Sequence, residues 1–264
     1  MRIMGILNVT PDSFSDGGNF ASPAAALAQA DKLIAEGADI LDIGGESTRP
    51  FATPVSTEEE LGRVIPIIQA VRKKHSLPIS IDTSKAVVAE QALKAGADII
   101  NDISALRRDP DMVTLVKNTR VPVILMHMQG TPADMQVEPV YTDVVREIVA
   151  FFAERLAWLK QQEVDHSRLI LDPGIGFGKT RQHNLSILKH LEDFSSLGCP
   201  VLLGHSRKRF LGEITEIPAE AERDLATAVV AALCTDKNVA IIRVHNVAAT
   251  RQALLVAAAI AEAA

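Results

Sequence analysis

The chain has 264 residues, 47% of them hydrophobic, enough for one large core; barrels of alternating strands and helices often close at about 250 residues as one domain. Its 27 basic and 33 acidic residues give a net charge of −6 with no basic block, which argues against a nucleic-acid-binding surface and means that an anionic ligand would need a local cluster of cations. Cys199 and Cys234 fit no zinc or redox spacing, no run is long enough for a membrane span, and residues 1–14 lack the pattern of a secretory signal, so the expectation is a cytoplasmic protein with two reduced core thiols.

Eight short apolar runs follow one another along the chain, at 2–9, 39–44, 78–82, 98–102, 121–127, 168–172, 200–206 and 239–245. Each is rich in β-branched residues or Leu, as strands buried on both faces should be. Between them lie helical patterns. The first, 22–36, has Ser22 before Pro23 at its start and Gly37 past its end. At 57–74, Ser56 with Glu59 or Thr57 with Glu60 fits a capping box. Further helices are predicted at 84–95, stopping at Gly96, and at 111–118, 142–163, 184–191, 224–236 and 247–262. Eight successive strand-then-helix units predict an α/β fold: a single (β/α)8 TIM barrel over residues 1–264, with its active site at the C-terminal rim of the strands. An open doubly wound sheet is the competing fold.

The strand ends carry the chemistry. The first strand runs into Asn8, the second into Asp42 and Glu46, the third into Asp82 and the fourth into Asn101 and Asp102. The fifth ends at His127, the sixth at Asp172, the seventh leads to His205, Ser206, Arg207 and Lys208, and the eighth ends at Arg243 and His245. Arg243 and His245 are two apart, so they share a strand face and point together into a barrel mouth, where they suit a phosphate. Ser206, Arg207 and Lys208 could extend that anion site; Arg207 and Arg209 could equally be solvated charges at a helix end. Asp82, Asn101 and Asp172 offer donors and acceptors to a heterocycle with an aminopyrimidinone edge, unless each caps its following helix.

Two stretches need separate reading. "LDPGIGFGKT" (171–180) looks like a phosphate loop, but Pro173 stands where a Walker loop needs Gly and Lys179 where a dinucleotide fingerprint needs one. Its glycines are expected to let backbone approach a flat ligand. "NVTPDSFSDGG" (8–18) is turn-rich and reads as a lid at the rim. No H-E-x-x-H or G-x-S-x-G motif is present, and His127 is expected to pack at the barrel mouth.

In chain order, "NVTPDSFSDGG", "DIGGESTRP", "SIDTSK", "IINDIS", "MHMQGTP", "DPGIGFGK", "SRK" and "RVHNVAATR" resemble the motifs of the dihydropteroate synthases, a pterin-binding family, over residues 3 to about 256. The resemblance implies an enzyme that joins 4-aminobenzoate to 6-hydroxymethyl-7,8-dihydropterin diphosphate, releasing diphosphate and 7,8-dihydropteroate. It implies that Asp82, Asn101, Asp172 and Lys208 bind the pterin, and that Asn8, Thr48, Arg243 and His245 hold the diphosphate, with Mg2+ near Asn8. Thr48, Arg49, Pro50, Phe177 and Ser206 would accommodate the aminobenzoate, and Asp82, Asp172, Lys208, Arg243 and His245 would form the catalytic set. The family also implies a homodimer, for which the Ala-, Val- and Leu-rich stretches 225–234 and 250–264 could supply an interface. Asn246 stands where an acid is more frequent in the family, and Phe51 where small residues are common. A diphosphate leaving group needs charge neutralisation more than a strong general acid. The electron-rich dihydropterin can carry positive charge at its methylene carbon, favoured by an Asp172 carboxylate on the ring, and a neutral arylamine can attack it. An SN1-like displacement under closed first and second loops is therefore expected. The competing functions are a methyltetrahydrofolate-dependent corrinoid methyltransferase, which needs no diphosphate site, and a catalytically silent pterin-binding subunit.

Overall fold

The structure, a computed structural model, describes residues 1–10, 23–47, 53–132 and 134–263. Eight strands, β1 Arg2–Asn8, β2 Ile40–Gly44, β3 Ile79–Asp82, β4 Ile99–Asp102, β5 Val123–Met126, β6 Leu169–Asp172, β7 Val201–Leu203 and β8 Val239–Val244, form a closed barrel in sequence order. All pairs are parallel, and β8 returns to β1 with Arg243 opposite Met4. The predicted barrel is what the chain forms. The helices are α1 Pro23–Ala35, α2 Thr57–Lys74, α3 Ala86–Ala95, α4 Pro110–Asn118, α5 Val144–Gln161, α6 Arg181–Lys189, α7 Arg209–Thr215, α8 Asp224–Leu233 and α9 Val247–Ala261.

Alternation along the strands divides the core in two. Met4, Ile40, Ile99, Ile124, Leu202 and Ile241 form a small cluster of their own in the barrel lumen. Their neighbours of opposite phase, among them Ile3, Leu41, Ile100, Val123, Leu203 and Ile242, join the large core between sheet and helices. Every strand is thus buried on both faces, which is why its sequence reads as a continuous apolar run.

Local signals account for most helix ends. Ser56 accepts a hydrogen bond from the Glu59 amide at the start of α2. The reciprocal half of that capping box is missing, because Glu59 pairs with Arg63. Gly37 and Gly96 take left-handed backbone just past α1 and α3, as their positions predict. Ser22 lies outside the described residues. The proposed capping role of Asp82 is not found: α3 begins at Ala86 with Lys85 as its cap and no side-chain hydrogen bond there. The seventh unit departs most from expectation. β7 has only three residues before Gly204, and an unpredicted helix, α7, precedes α8. Cys199 and Cys234 are free, buried thiols.

Candidate active site

On five of the strands, the lumen face turns polar or charged two residues further on, at the C-terminal end. Ile40 leads to Asp42, Ser80 to Asp82, Ile99 to Asn101, Ile170 to Asp172 and Ile241 to Arg243. These side chains meet across the lumen. Arg243 Nε donates to Asp42 Oδ2 at 2.6 Å and its Nη2 to Asp82 Oδ2 at 2.8 Å. Asn101 Nδ2 donates to the same Asp42 oxygen at 3.2 Å. Asp42, which is completely buried, was read from sequence only as a polar strand end, yet it is the hub of this layer. Its phase, two after Ile40, was the signal that could have found it.

This ring changes the reading of Arg243. The guanidinium points into the mouth as strand phase predicts, but one edge is occupied by two carboxylates, and only Nη1 has no hydrogen bond among the described residues. Burial opposes its charge, while Asp42 and Asp82 outweigh that and raise its pKa above the ordinary arginine value. Burial pushes Asp82 upward, with Arg243 pulling the other way.

Asp172, at the end of β6, is 6% exposed. Its Oδ1 accepts from the Gly174 amide at 2.8 Å. Burial raises it to about 6, against the pull of that hydrogen bond and of Lys208. Lys208 is pushed down to about 8 by burial and then by Arg243. Its Nζ lies 4.0 Å from the centre of the Phe177 ring. Phe177 belongs to an apolar patch at the rim with Ile103, Met126, Met128 and Met135.

The "SRK" turn presents its three side chains in different directions. Ser206 Oγ lies 2.9 Å from His245 Nδ1 and accepts from the His245 amide at 3.1 Å. With no other acceptor near it among the described residues, the hydroxyl proton goes to Nδ1, which leaves Nε2–H of a neutral imidazole as the available donor. Burial, then Arg207 and Arg243, depress His245 to about 3. Arg207 is neither a ligand to the lumen nor a solvated charge. It is left-handed, with φ 57°, and makes paired hydrogen bonds of 2.6 and 2.8 Å to Asp224. Arg209 is the solvated one, pairing with Glu213 while mostly exposed. Asn246 caps α9 and donates to Asp224 at 2.9 Å, so it supports the same anchor.

Other polar residues at or just past the strand ends hold loops. Asp102 accepts from Ser104 and Leu106. His205 Nε2 meets the Thr227 carbonyl at 2.9 Å. Glu46 pairs with Lys85, which also holds the buried Glu60 at 2.5 Å. His127 packs edge-on against Phe151 with ring centres 4.9 Å apart, as expected of mouth packing, and it also accepts from Lys179. The glycines of 174–178 serve a purpose different from the one expected. A Cβ at Gly174 would stand 1.9 Å from the His127 carbonyl oxygen, and one at Gly178 2.6 Å from that of Gln129, so they allow two rim loops to lie backbone against backbone. A Cβ at Gly176 would meet Lys208 Cδ at 2.9 Å.

Asn8 is half-buried at the end of β1. Thr48, Arg49, Pro50 and Phe51, and the stretch 11–18, lie outside the described residues. No group of three or more His, Cys, Asp or Glu among the described residues is placed to hold a metal ion. No described helix is long and apolar enough to cross a membrane. A cleft opens beside Asp82, lined by Glu46, Glu60, Ser84, Arg107, Arg108 and Met128 among others.

A barrel whose C-terminal mouth holds acid, amide and cation beside an apolar cluster is a site for a polar heterocycle. Residues 4–245 match the pterin binding enzyme family, and the chain belongs to that family. Among similar sequences is the dihydropteroate synthase of Haemophilus influenzae, 47% identical over 255 residues that cover 97% of this chain and 92% of that one. The solved Xanthomonas albilineans dihydropteroate synthase with 4-aminobenzoic acid has a TM-score of 0.94 at 46% identity, covering 100% of this chain and 94% of that chain. The same enzyme in complex with 7,8-dihydropteroate gives 0.90 at 44% identity, with the same coverage.

Proposed function

We infer that this chain carries out the dihydropteroate synthase reaction, joining 6-hydroxymethyl-7,8-dihydropterin diphosphate to 4-aminobenzoate with loss of diphosphate. The observation that carries this reading is the convergence of Asp82, Asn101, Asp172, Lys208 and Arg243 on one lumen, in a chain nearly half identical to such synthases over almost its whole length. Asp82, Asn101, Asp172 and Lys208 read the pterin ring. Asp172 ionises above about 6 and is 6% exposed, and a carboxylate so shielded from solvent stabilises positive charge on the dihydropterin strongly. As the methylene carbon–oxygen bond breaks, its electron pair leaves on the diphosphate. Arg243 Nη1 and the His245 Nε2–H meet that charge, with Thr48 joining them. The neutral arylamine then forms the carbon–nitrogen bond and gives its proton to solvent. Phe177 and Ser206 border the aminobenzoate, Ser206 also orienting His245, and Thr48, Arg49 and Pro50 complete that side.

The residues fit a magnesium ion in one way. Mg2+ is commonly held by one or two protein oxygens, with substrate phosphate and water completing the shell, and the half-buried Asn8 amide can supply the protein ligand. When bound, the ion neutralises diphosphate charge. The composition and the absence of a spanning helix among the described residues support a cytoplasmic setting. The deciding experiment incubates the purified protein with both substrates and Mg2+ and measures 7,8-dihydropteroate and diphosphate together. Equal amounts of the two products are expected; a folded protein that binds pterin but releases neither would overturn the reading.

A further inference from the structure

Lys179 has no part in the scheme above, yet it is a charged side chain with 3% of its surface exposed. Its Nζ hydrogen-bonds to His127 Nδ1 at 3.0 Å and donates to the Phe177 carbonyl at 2.9 Å, with the His127 carbonyl at 3.4 Å. Burial pulls its pKa down to about 7; in the ammonium form its three protons meet these three acceptors, and His127 Nδ1 is then the unprotonated ring nitrogen. The three acceptors come from two loops, those after β5 and β6. These are the loops that Gly174 and Gly178 lay backbone to backbone.

Phe177 sits between Gly176 and Gly178, both left-handed at φ 81° and 62°. A residue flanked by two such glycines gets little orientation from its own chain. Its carbonyl is held by Lys179, and its ring lies against Lys208 and the methionines of the rim patch. Burying an ammonium costs several kcal/mol unless it is well paired, and an apolar side chain of similar length would fill the space without that cost. What the ammonium adds is direction: three donors that meet two carbonyls and one imidazole.

We propose that Lys179 is a positioning residue, which holds the Phe177 carbonyl and the His127 ring so that the Phe177 ring stands against Lys208 and shapes the aminobenzoate side of the site without touching either substrate. This rests on the reading of Phe177 as an aminobenzoate neighbour. Three of the four pterin readers, Asp82, Asn101 and Asp172, are held by other groups; only Lys208 meets the Phe177 ring, so loss of Lys179 should fall on the aminobenzoate more than on the pterin.

The test compares wild type, Lys179→Met, Lys179→Arg, Phe177→Leu and the Phe177→Leu/Lys179→Met double variant by steady-state kinetics, with 6-hydroxymethylpterin affinity measured by calorimetry. In Lys179→Met the KM for 4-aminobenzoate should rise at least about tenfold while kcat and pterin affinity change less than about threefold. Lys179→Arg, which keeps the charge and donors, should recover much of the lost KM. The double variant should match Phe177→Leu within about twofold, because the two residues act in series. Should Lys179→Met not fold, Lys179→Gln is measured in its place with the same expectations. An unchanged KM, an equal loss of pterin affinity, or additive effects in the double variant would each overturn the proposal. An inactive wild type would instead overturn the reading of function on which it rests.

Discussion

Asp42 shows how much one side chain can organise. It is completely buried, binds Arg243 at 2.6 Å and Asn101 at 3.2 Å, and its other oxygen has no hydrogen-bond partner among the described residues. Without Asp42, Arg243 keeps Asp82 alone and Asn101 Nδ2 loses this acceptor, so the cost lies at the low end of the about 3–5 kcal/mol typical of breaking a buried ion pair. Asp42→Ala should therefore destabilise the protein by about 3 kcal/mol in denaturant melts and lower kcat/KM at least about 100-fold. A stable variant with near-normal activity would show that Arg243 needs no such anchor. Asp172 makes the opposite case. It is an acid whose folded pKa, about 6, lies above the ordinary 3.8 because burial disfavours its charge. The fold therefore carries a penalty for the ionised form above about pH 6, which fades as pH falls towards 3.8 and is absent below. Asp172→Asn removes that penalty and should stabilise the protein by about 2–3 kcal/mol at pH 8, a gain that vanishes near pH 4, while turnover falls at least about tenfold. Binding of 6-hydroxymethyl-7,8-dihydropterin to the wild type should rise through about pH 6 as Asp172 ionises and fall through about pH 8 as Lys208 loses its proton. Calorimetric titration across that range, and thermal melts of both proteins at pH 8 and 4.5, would expose an error in either assignment.

Strands and loops explain what could be read from the chain and what could not. The eight apolar runs gave the barrel because each strand is buried on both faces, and the polar strand ends gave the rim because the lumen alternates with period two. The same rule, applied to all eight strands at once, separates Asp42, Asp82, Asn101, Asp172 and Arg243 in the lumen from Asp102 and His205, which hold loops. Residue type alone does not make that separation. The element α7 and the fate of Arg207 were not legible, because they depend on contacts with α8: Asp224 and Thr227 hold the left-handed Arg207 turn. The packing role of the glycines of 174–178 is likewise not legible, since nothing in one segment says that a neighbouring loop lies on it. Their structural role predicts a graded response. At Gly174 an added Cβ would meet backbone at 1.9 Å with φ 70°, and at Gly178 backbone at 2.6 Å with φ 62°. Backbone cannot swing aside as a flexible side chain can, so Gly174→Ala should cost at least about 3 kcal/mol, Gly178→Ala less, and Ala in open positions such as Gly62 almost nothing. Thermal melts of the three variants would refute this if Gly174→Ala melted within a degree or two of wild type.

At the scale of the molecule, one face of the outer ring is unlike the rest. Leu225, Val229 and Leu233 recur at intervals of four along α8 and are 77%, 49% and 67% exposed, so they form a single stripe. Leu255, Val256 and Ile260 on the adjoining α9 are 61%, 61% and 71% exposed. Scattered apolar residues on a surface need no partner, but six large ones on two packed helices form the contiguous kind of patch that marks an interface. The two helices are those that flank β8 and hold the "SRK" turn through Asp224, so a partner pressed against them would stiffen the anion side of the mouth. A second copy of the chain, with the same stripe related by a twofold axis, covers such a patch symmetrically. The protein should therefore sediment as a homodimer at micromolar concentration, and Leu233→Glu/Val256→Glu should sediment as a monomer with unchanged circular dichroism, since neither side chain contributes to the core. A wild type that runs as a monomer under those conditions would leave the stripe without the occupant assigned to it here.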